Sequence, residues 1–153
     1  MANTQAFCSQ AKVDLMNGKH AFGASVIRAG TTKDDYYMAL FLASASRGVA
    51  DTVYNNTGEL AASGNYTQGG KILTTANPPA LDGTTAHFTP SASVSWTSFT
   101  SSGSFDCAVM YNNTSASKLE VAVFTFGAQS ITSGTFTLSM PVDDGTTGLI
   151  RIA

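Results

Sequence analysis

Three strand-like segments within residues 105–141 constrain the fold of this chain more than any other feature. Apolar and polar residues alternate in each segment, and turns rich in Gly, Ser, Thr and Asn separate the segments. In the last segment, Phe136, Leu138 and Met140 alternate with hydroxyl residues. A period of two with β-branched and aromatic residues is typical of half-buried antiparallel strands. The region therefore predicts three β-strands in succession.

Further strands are predicted upstream of this region. Residues 36–43 are apolar on both faces, which predicts a central strand or one covered on its far side. Residues 71–75 predict a short strand, and residues 85–99 predict a longer one with an apolar face and a hydroxyl face. Residues 48–70 contain several Gly and no long apolar run, so we expect them to form a surface loop.

One good helix candidate precedes these strands, at residues 3–17. Asn3 or Thr4 can cap its first turn, and Asn17-Gly18 is a good left-handed terminator. The apolar side chains that recur on one face of this helix are Phe7, Ala11 and Leu15. We expect the helix to pack against a sheet or, as the alternative, to dock on a neighbouring subunit.

Together these patterns predict one domain, residues 1–153, that is mainly β. The expected fold is an antiparallel β-sandwich, jelly-roll-like, with about seven to nine strands and with residues 1–18 as an N-terminal helix or arm. The apolar members of the alternating rows form the predicted core, which is Phe7, Leu15, Leu40, Leu42, Val94, Trp96, Val109, Val121, Val123, Phe136, Leu138 and Ile150.

The chain carries few charges, with 12% charged residues and a formal net charge of -2. Its Lys and Arg residues form no run, so the sequence argues against a nucleic-acid partner, which would need clustered basic residues. A weakly charged surface protects poorly against association, and we therefore expect a homo-oligomer or a subunit of an assembly. No apolar run is long enough for a membrane span and no export signal is recognisable, so we expect synthesis in the cytoplasm.

No residue pattern in the sequence indicates catalysis or a cofactor. Cys8 and Cys107 have no metal or redox spacing, and two reduced core thiols are the expected outcome. His20 and His87 are isolated, and no nucleophile motif accompanies them. The acidic pairs, Asp34-Asp35 and Asp143-Asp144, flank predicted strands and suit turns, with calcium binding by the second pair as an alternative. The motif YNNT occurs twice, which we interpret as repeated turn chemistry.

Taken in order, several segments resemble a widespread group of small virion proteins of tailed bacteriophages. The resemblance covers nearly the whole chain and is carried by AFCSQAKVDLMNGKHAF, DDYYMALFLASAS, TGELAASGNYTQGGK, AVMYNNTSASK, AVFTFGAQSITSGTFTLSMP and GLIRIA. It implies a structural component of the particle, not an enzyme. The expected role is a decoration or cement protein on the capsid surface that binds the major capsid protein. The alternative is a tail or head-fibre component that contacts host glycans.

The loop at residues 48–70 and the N-terminal arm are the candidate docking segments. We expect Tyr54, Glu59 and Tyr66 to be exposed on the loop, and Asn3 and Phe7 to contact the partner from the arm. If so, replacing the two tyrosines by Ser weakens docking and leaves the free domain folded.

Overall fold

The computed structural model describes residues 2–16, 18–22 and 33–153. Within these ranges the chain forms ten strands, all paired antiparallel, and one short helix. This confirms the predicted mainly-β antiparallel fold with a short N-terminal helix. The elements are β1 (Ala6–Phe7), α1 (Ser9–Met16), β2 (Tyr36–Leu42), β3 (Lys71–Ile72), β4 (Ala80–Asp82), β5 (Thr85–Phe88), β6 (Val94–Phe99), β7 (Phe105–Asn112), β8 (Glu120–Gln129), β9 (Gly134–Leu138) and β10 (Ile150–Ile152).

The largest sheet has five strands in the order β1-β8-β7-β2-β3. Its central strands β2 and β7 are apolar on both faces, as predicted for β2, and both faces are buried. One face, called here the Leu40 face, carries Tyr36, Met38, Leu40, Ala108 and Met110. The opposite face, called the Phe41 face, carries Ala39, Phe41, Cys107, Val109 and Tyr111.

The two faces of this sheet are covered by different parts of the chain. On the Leu40 face lies the two-stranded sheet β6-β9, whose Phe136 ring lies 5.0 Å from the ring of Phe105. The β6-β9 sheet thus contributes aromatic side chains to the core on this side of the large sheet. On the Phe41 face lie the residues after β2: the Arg47 guanidinium lies 4.2 Å from the Phe41 ring centroid, and Tyr54 stacks on Tyr111 at 4.2 Å. The helix α1 packs against β8.

The strand count exceeds the predicted seven to nine because four of the described strands are very short. β1 and β3 have two residues each, and β4 and β10 have three. Segments of that length show no period that a sequence pattern can reveal, and long-range pairing alone defines them. The predicted strand at residues 85–99 is in fact two strands, β5 and β6. Between them Pro90 cannot donate a ladder hydrogen bond, and the Ser91 amide bonds Thr74 O at 2.7 Å.

The helix begins later than predicted, at Ser9 instead of Asn3. Phe7 is not on the helix but in β1, opposite Ala122 of β8. The predicted end is confirmed at Gly18, which has φ +68°, while Asn17 lies outside the described residues. The Gly18 amide bonds Leu15 O at 3.0 Å and the Lys19 amide bonds Asp14 O at 2.8 Å, which is the Schellman pattern.

All twelve predicted core residues face the core, but only some of them are fully covered. Seven of the twelve predicted residues are buried, namely Leu40, Val94, Trp96, Val109, Val121, Val123 and Ile150. The other five are half-buried and pack against the core, namely Phe7, Leu15, Leu42, Phe136 and Leu138. Alternation identifies the inward face of a strand, but it does not say how much of a side chain its neighbours cover.

The half-buried position of Leu138 sets a testable stability effect. Because Leu138 on β9 is opposite Val94 but keeps part of its surface exposed, Leu138→Ala should cost about 1–2 kcal/mol, below the about 2–5 kcal/mol of a fully buried leucine. Urea unfolding measures this loss. Thr135→Ala, on the exposed face of the same strand, is the control and should change stability by less than about 0.5 kcal/mol. Equal losses at the two positions would contradict the assigned faces.

Candidate functional site

The predicted docking loop, residues 48–70, pairs with the part of the β2 edge that β3 does not reach. The Leu42 amide bonds Gly58 O at 2.8 Å and the Leu60 amide bonds Leu40 O at 3.0 Å, so this segment continues the pairing of β2. Its predicted exposure is wrong for two of the three named residues. Glu59 is 6% exposed, Tyr66 is 1% exposed, and Tyr54 is half-buried.

Glu59 connects the two tyrosines and the backbone of the loop. Tyr54 OH donates to Glu59 Oε2 at 2.5 Å, and Tyr66 OH donates to Glu59 Oε1 at 2.7 Å. The Gly69 amide also donates to Glu59 Oε1 at 2.7 Å. Burial raises the pKa of both tyrosines, and the Glu59 carboxylate raises it further. One carboxylate thus satisfies three donors inside the protein, which is a structural role.

Tyr66 also completes the hydrogen bonding of β2. The Leu40 amide donates to Tyr66 OH at 3.0 Å, at a point on the strand edge that β3 does not reach. The Tyr66 ring packs near Trp96 and Phe99 on the Leu40 face. We therefore expect a Tyr66→Ser variant to be destabilised, in contrast to the expectation from the sequence, since the substitution would open the core and remove a backbone partner.

The N-terminal arm is bound to its own domain. Asn3 Nδ2 donates to Leu42 O at 3.1 Å and to Asp106 Oδ1 at 2.5 Å, while Asn3 Oδ1 accepts from the Arg47 amide at 2.7 Å. Phe7 is half-buried and packs against the core on both faces. The two arm residues predicted to contact a partner thus have their main contacts within the chain.

A buried charge cluster that was not predicted from the sequence lies under the loop that follows β2. Arg47 Nη1 lies 3.7 Å from Glu120 Oε2 and 3.9 Å from Asp51 Oδ1. Arg47 Nη2 donates to Asn55 O at 2.6 Å, and the Glu120 side chain is fully buried. Burial raises the pKa of Glu120 to about 8, Asp51 adds to the rise, and Arg47 opposes it.

The two cysteines are both buried and free, as predicted. The Cys8 amide bonds Val121 O of β8, whereas Cys107 lies on β7, on the other side of β8. Two strand spacings of about 4.8 Å separate them, which exceeds the Cα separation that a disulfide can bridge. Burial raises the pKa of each thiol to about 12, so both are unreactive.

The other polar residues singled out in the sequence stabilise turns and loop contacts. Asp144 Oδ1 accepts from the amides of Thr146 and Thr147 at 2.8 and 2.6 Å, and these bonds lower the pKa of Asp144. His87 Nδ1 lies 2.9 Å from Asp143 Oδ1. Nowhere in residues 2–16, 18–22 and 33–153 do three or more His, Cys, Asp or Glu side chains form a group that could hold a metal ion.

Both YNNT motifs form the predicted turns. In the first, the Thr57 amide donates to Asn55 Oδ1 at 3.1 Å. In the second, the Thr114 amide donates to Asn112 Oδ1 at 3.0 Å. The first Asn of each motif therefore bonds the backbone two residues later, which is the Asx-turn that this residue type favours.

An apolar row crosses the three-stranded sheet β10-β5-β4 and is exposed. The register places Leu81, Ala86 and Ile152 side by side, with Leu81 71% exposed and Ile152 52% exposed. Phe88 and Ile150 share this face and are buried in the core. The core-facing side of the sheet thus continues beyond the core as an uncovered apolar surface, called here the Leu81 row.

A cleft of about 750 Å³ lies between β10 and the β1-β8 edge of the large sheet. Its wall includes Phe7, Phe124 and Ile150, together with Gly145 and residues 147–149 of the turn before β10. The charged side chain at its rim, Arg151, is exposed and donates to Thr146 O. Gln5, Thr85 and Thr147 also line the cleft, so its wall is both polar and apolar.

Comparison of the chain with protein-family models, curated proteins and solved structures finds no match. Among the described residues, no helix has the length and apolar character that crossing a membrane requires.

Proposed function

We propose that this chain is a structural protein of a bacteriophage virion, a decoration or cement protein that binds the major capsid protein and stabilises the head. In this role it is not an enzyme, it uses no cofactor, and it acts in many copies on the capsid surface after synthesis in the host cytoplasm. The Leu81 row carries the proposal. An uncovered apolar continuation of a core-facing sheet is a surface that a protein partner can bury.

The remaining surface suits contact with a protein shell better than contact with nucleic acid. It is rich in Ser, Thr and Asn, and only 12% of the residues of the chain are charged. Covering such a surface costs less desolvation energy than covering ionised groups, provided that its hydroxyl and amide groups form hydrogen bonds with the partner. Each contact can be modest, because a symmetric shell presents the same site many times.

The docking surface in this proposal is the Leu81 row and not residues 48–70. The side chains of Glu59 and Tyr66 are buried, and Tyr54 bonds Glu59. The glycan-binding alternative required several exposed tyrosines on one surface. With Tyr66 and Tyr111 buried, that alternative keeps no specific support among the described side chains and remains an outcome of the test.

Substitution within the Leu81 row tests the docking surface. The binding test uses virus particles from which this protein has been removed. We expect the double variant Leu81→Ser/Ile152→Ser to bind them at least about tenfold more weakly than the wild type, which corresponds to about 1.4 kcal/mol of lost apolar contact. Its folding should change by about 0.5 kcal/mol or less per site, since both side chains are exposed. The matched control is Ile72→Ser, because Ile72 is 51% exposed but lies on β3 of the other sheet.

Particle composition and stability separate the possible results. A cement protein approaches the copy number of the capsid subunit by mass spectrometry of intact particles, and particles lacking it break at lower temperature. Equal binding by the double variant and the control would exclude the Leu81 row as the docking surface. A fibre or tail component is shown instead if depleted particles survive heating but fail to adsorb to host cells.

A further inference from the structure

The buried charge cluster beneath the loop after β2 contains one basic side chain and two acidic ones. Its members are Arg47, Asp51 and Glu120. Arg47 lies within 4 Å of both carboxylates, at 3.7 Å from Glu120 and 3.9 Å from Asp51. With both acids ionised, one positive charge faces two negative charges, and one of the acids is fully buried.

The geometry identifies Glu120 as the acid that takes up a proton. Neither carboxylate oxygen of Glu120 has a hydrogen-bond partner among the described residues, whereas Asp51 accepts from the Gly48 amide at 2.8 Å. The side chain of Asp51 is also 26% exposed, so water helps to solvate its charge. An ionised, fully buried carboxylate without donors is strongly disfavoured, and protonation relieves it. The raised pKa of Glu120, about 8, agrees with this assignment.

Arg47 and Glu120 also hold together two segments that cover β8. The Arg47 backbone binds the arm, since its amide donates to Asn3 Oδ1 and its carbonyl accepts from the Thr4 amide at 2.8 Å. The Glu120 amide donates to Thr52 O at 3.0 Å. The first part of the arm, residues 3–9, and the segment at residues 47–57 therefore meet above the Glu120 side chain. In this subsection they are called the arm and the loop.

We propose that Glu120 is a pH-sensitive latch: its neutral form keeps the arm and the loop at residues 47–57 closed over β8, and loss of its proton opens them. Hydration of the ionised carboxylate requires that some element move. The loop is held by isolated contacts and the arm by the two-residue pairing of β1 with β8, whereas β7 and β8 are joined by a long ladder. The loop and the arm therefore open first. This inference is independent of the proposed function.

The thiol and phenol groups around Glu120 do not titrate in the same range. Tyr111 is opposite Glu120 in the β7-β8 register, and Cys107 lies on the same face of β7. Cys8 approaches from the turn between β1 and α1. Burial raises the pKa of each of these three groups to about 12, so all three stay neutral where Glu120 ionises.

The charged side chains on the elements packed around β8 have other partners or face solvent. On α1, Asp14 forms an ion pair with Lys19 at 2.9 Å, and Lys12 is exposed. On β7, Asp106 accepts from Asn3 at 2.5 Å. None of them neutralises Glu120, and Arg47 remains the cation shown in contact with it among the described side chains.

The direction of the pH effect follows from the two forms. When the latch is open, Glu120 titrates near its ordinary pKa of 4.5, and when closed its pKa is about 8. The closed form thus holds the extra proton between these values. The closing equilibrium should weaken by about tenfold per pH unit as pH rises through this range, and should level off above the upper value.

Hydrogen exchange on the full chain tests the latch between about pH 5.5 and 9. The reporters are the amides of Thr4, Ser9, Tyr54 and Glu120, which bond Arg47 O, Val49 O, Lys118 O and Thr52 O. After correction for intrinsic exchange rates, we expect their protection factors to fall by about tenfold per pH unit and then level off. The reference is the Leu60 amide, which bonds Leu40 O outside the latch and should stay better protected than the reporters at each pH.

Two variants decide whether Glu120 is responsible. Glu120→Gln cannot ionise, so its reporter protection should not change with pH. Asp51→Asn keeps an oxygen for the Gly48 amide but removes the negative charge that raises the pKa of Glu120. The pH at which protection levels off should therefore be lower in this variant. It tests the latch even if Glu120→Gln fails to fold. The same pH dependence in the wild type and in either variant would overturn the latch. So would reporter protection equal to that of the Leu60 amide at each pH, since the loop and the arm would then open only when the whole domain unfolds.

Discussion

Glu59→Ala is expected to lower the free energy of unfolding by about 3–5 kcal/mol, because it leaves the two tyrosine hydroxyls and the Gly69 amide without their shared acceptor. Each buried donor that loses its partner costs about 1–3 kcal/mol. Part of that loss is recovered, because Tyr66 OH keeps Leu40 O as an acceptor at 3.3 Å and water can enter beside half-buried Tyr54. A typical domain has about 5–15 kcal/mol in total, so the variant should be only marginally folded. Urea unfolding followed by tryptophan fluorescence measures the change, since Trp96 packs near Tyr66.

The control for this prediction retains part of the network. Glu59→Gln keeps one carbonyl oxygen with nearly the same shape, and it should lose about half as much stability as Glu59→Ala. Tyr54→Phe removes one donor and leaves the carboxylate with two, so we expect a loss of about 1 kcal/mol. Glu59→Ala changing stability by less than about 0.5 kcal/mol would contradict the buried network and restore Glu59 as a surface residue.

The strands that were predicted correctly are those whose own side chains carry the signal. β2 is apolar on both faces, and β9 alternates, because each side chain reports the environment on its side of the sheet. β7 was predicted as an alternating, half-buried strand, but both of its faces are buried. β1 gives no such signal. Ala6 and Phe7 form a strand because Val123 and Ala122 of β8 are opposite them, and that pairing spans more than a hundred residues.

The loop at residues 48–70 shows why composition failed to predict exposure. Gly, Asn and Thr mark it correctly as irregular backbone, but irregular backbone can also cover a sheet face. Whether Tyr66 is exposed depends on the edge of β2 at Leu40, which β3 leaves unpaired. The unpaired Leu40 amide exists only after the sheet has formed, so no local sequence pattern around Tyr66 can predict that its hydroxyl binds there.

The charge cluster was missed for a related reason. Arg47 and Glu120 are far apart in sequence and match no motif. The available signal was an isolated acid at the start of an apolar strand, LEVAV, in a chain with few charges. That signal indicates a buried carboxylate, but it does not name Arg47 as the partner. The partner follows only from the course of the chain after β2 across the Phe41 face.

Gly70→Ala should prevent folding or cost more than about 4 kcal/mol, because an added Cβ would overlap the backbone of a central strand. The Cβ would lie 1.9 Å from Met38 O and 2.7 Å from Ala39 Cα, at a residue with φ +74°. β7 holds β2 on its other side along its whole length, so relief would require the segment leading into β3 to move away from β2 and break the pairing of Tyr37 and Met38 with β3. Soluble yield and thermal unfolding measure the effect.

Gly83→Ala separates this steric overlap from the cost of the left-handed backbone. Gly83 has φ +59°, but an added Cβ there meets no atom within 4 Å, so we expect a loss of about 1–2 kcal/mol. Side chains are already tolerated at such angles in this chain, since Ser46, Ser98 and Lys118 have positive φ. The large excess expected at Gly70 is therefore due to contact with Met38. Equal losses in the two variants would mean that the strand leading into β3 can shift away from β2, and the close packing of this edge would be wrong.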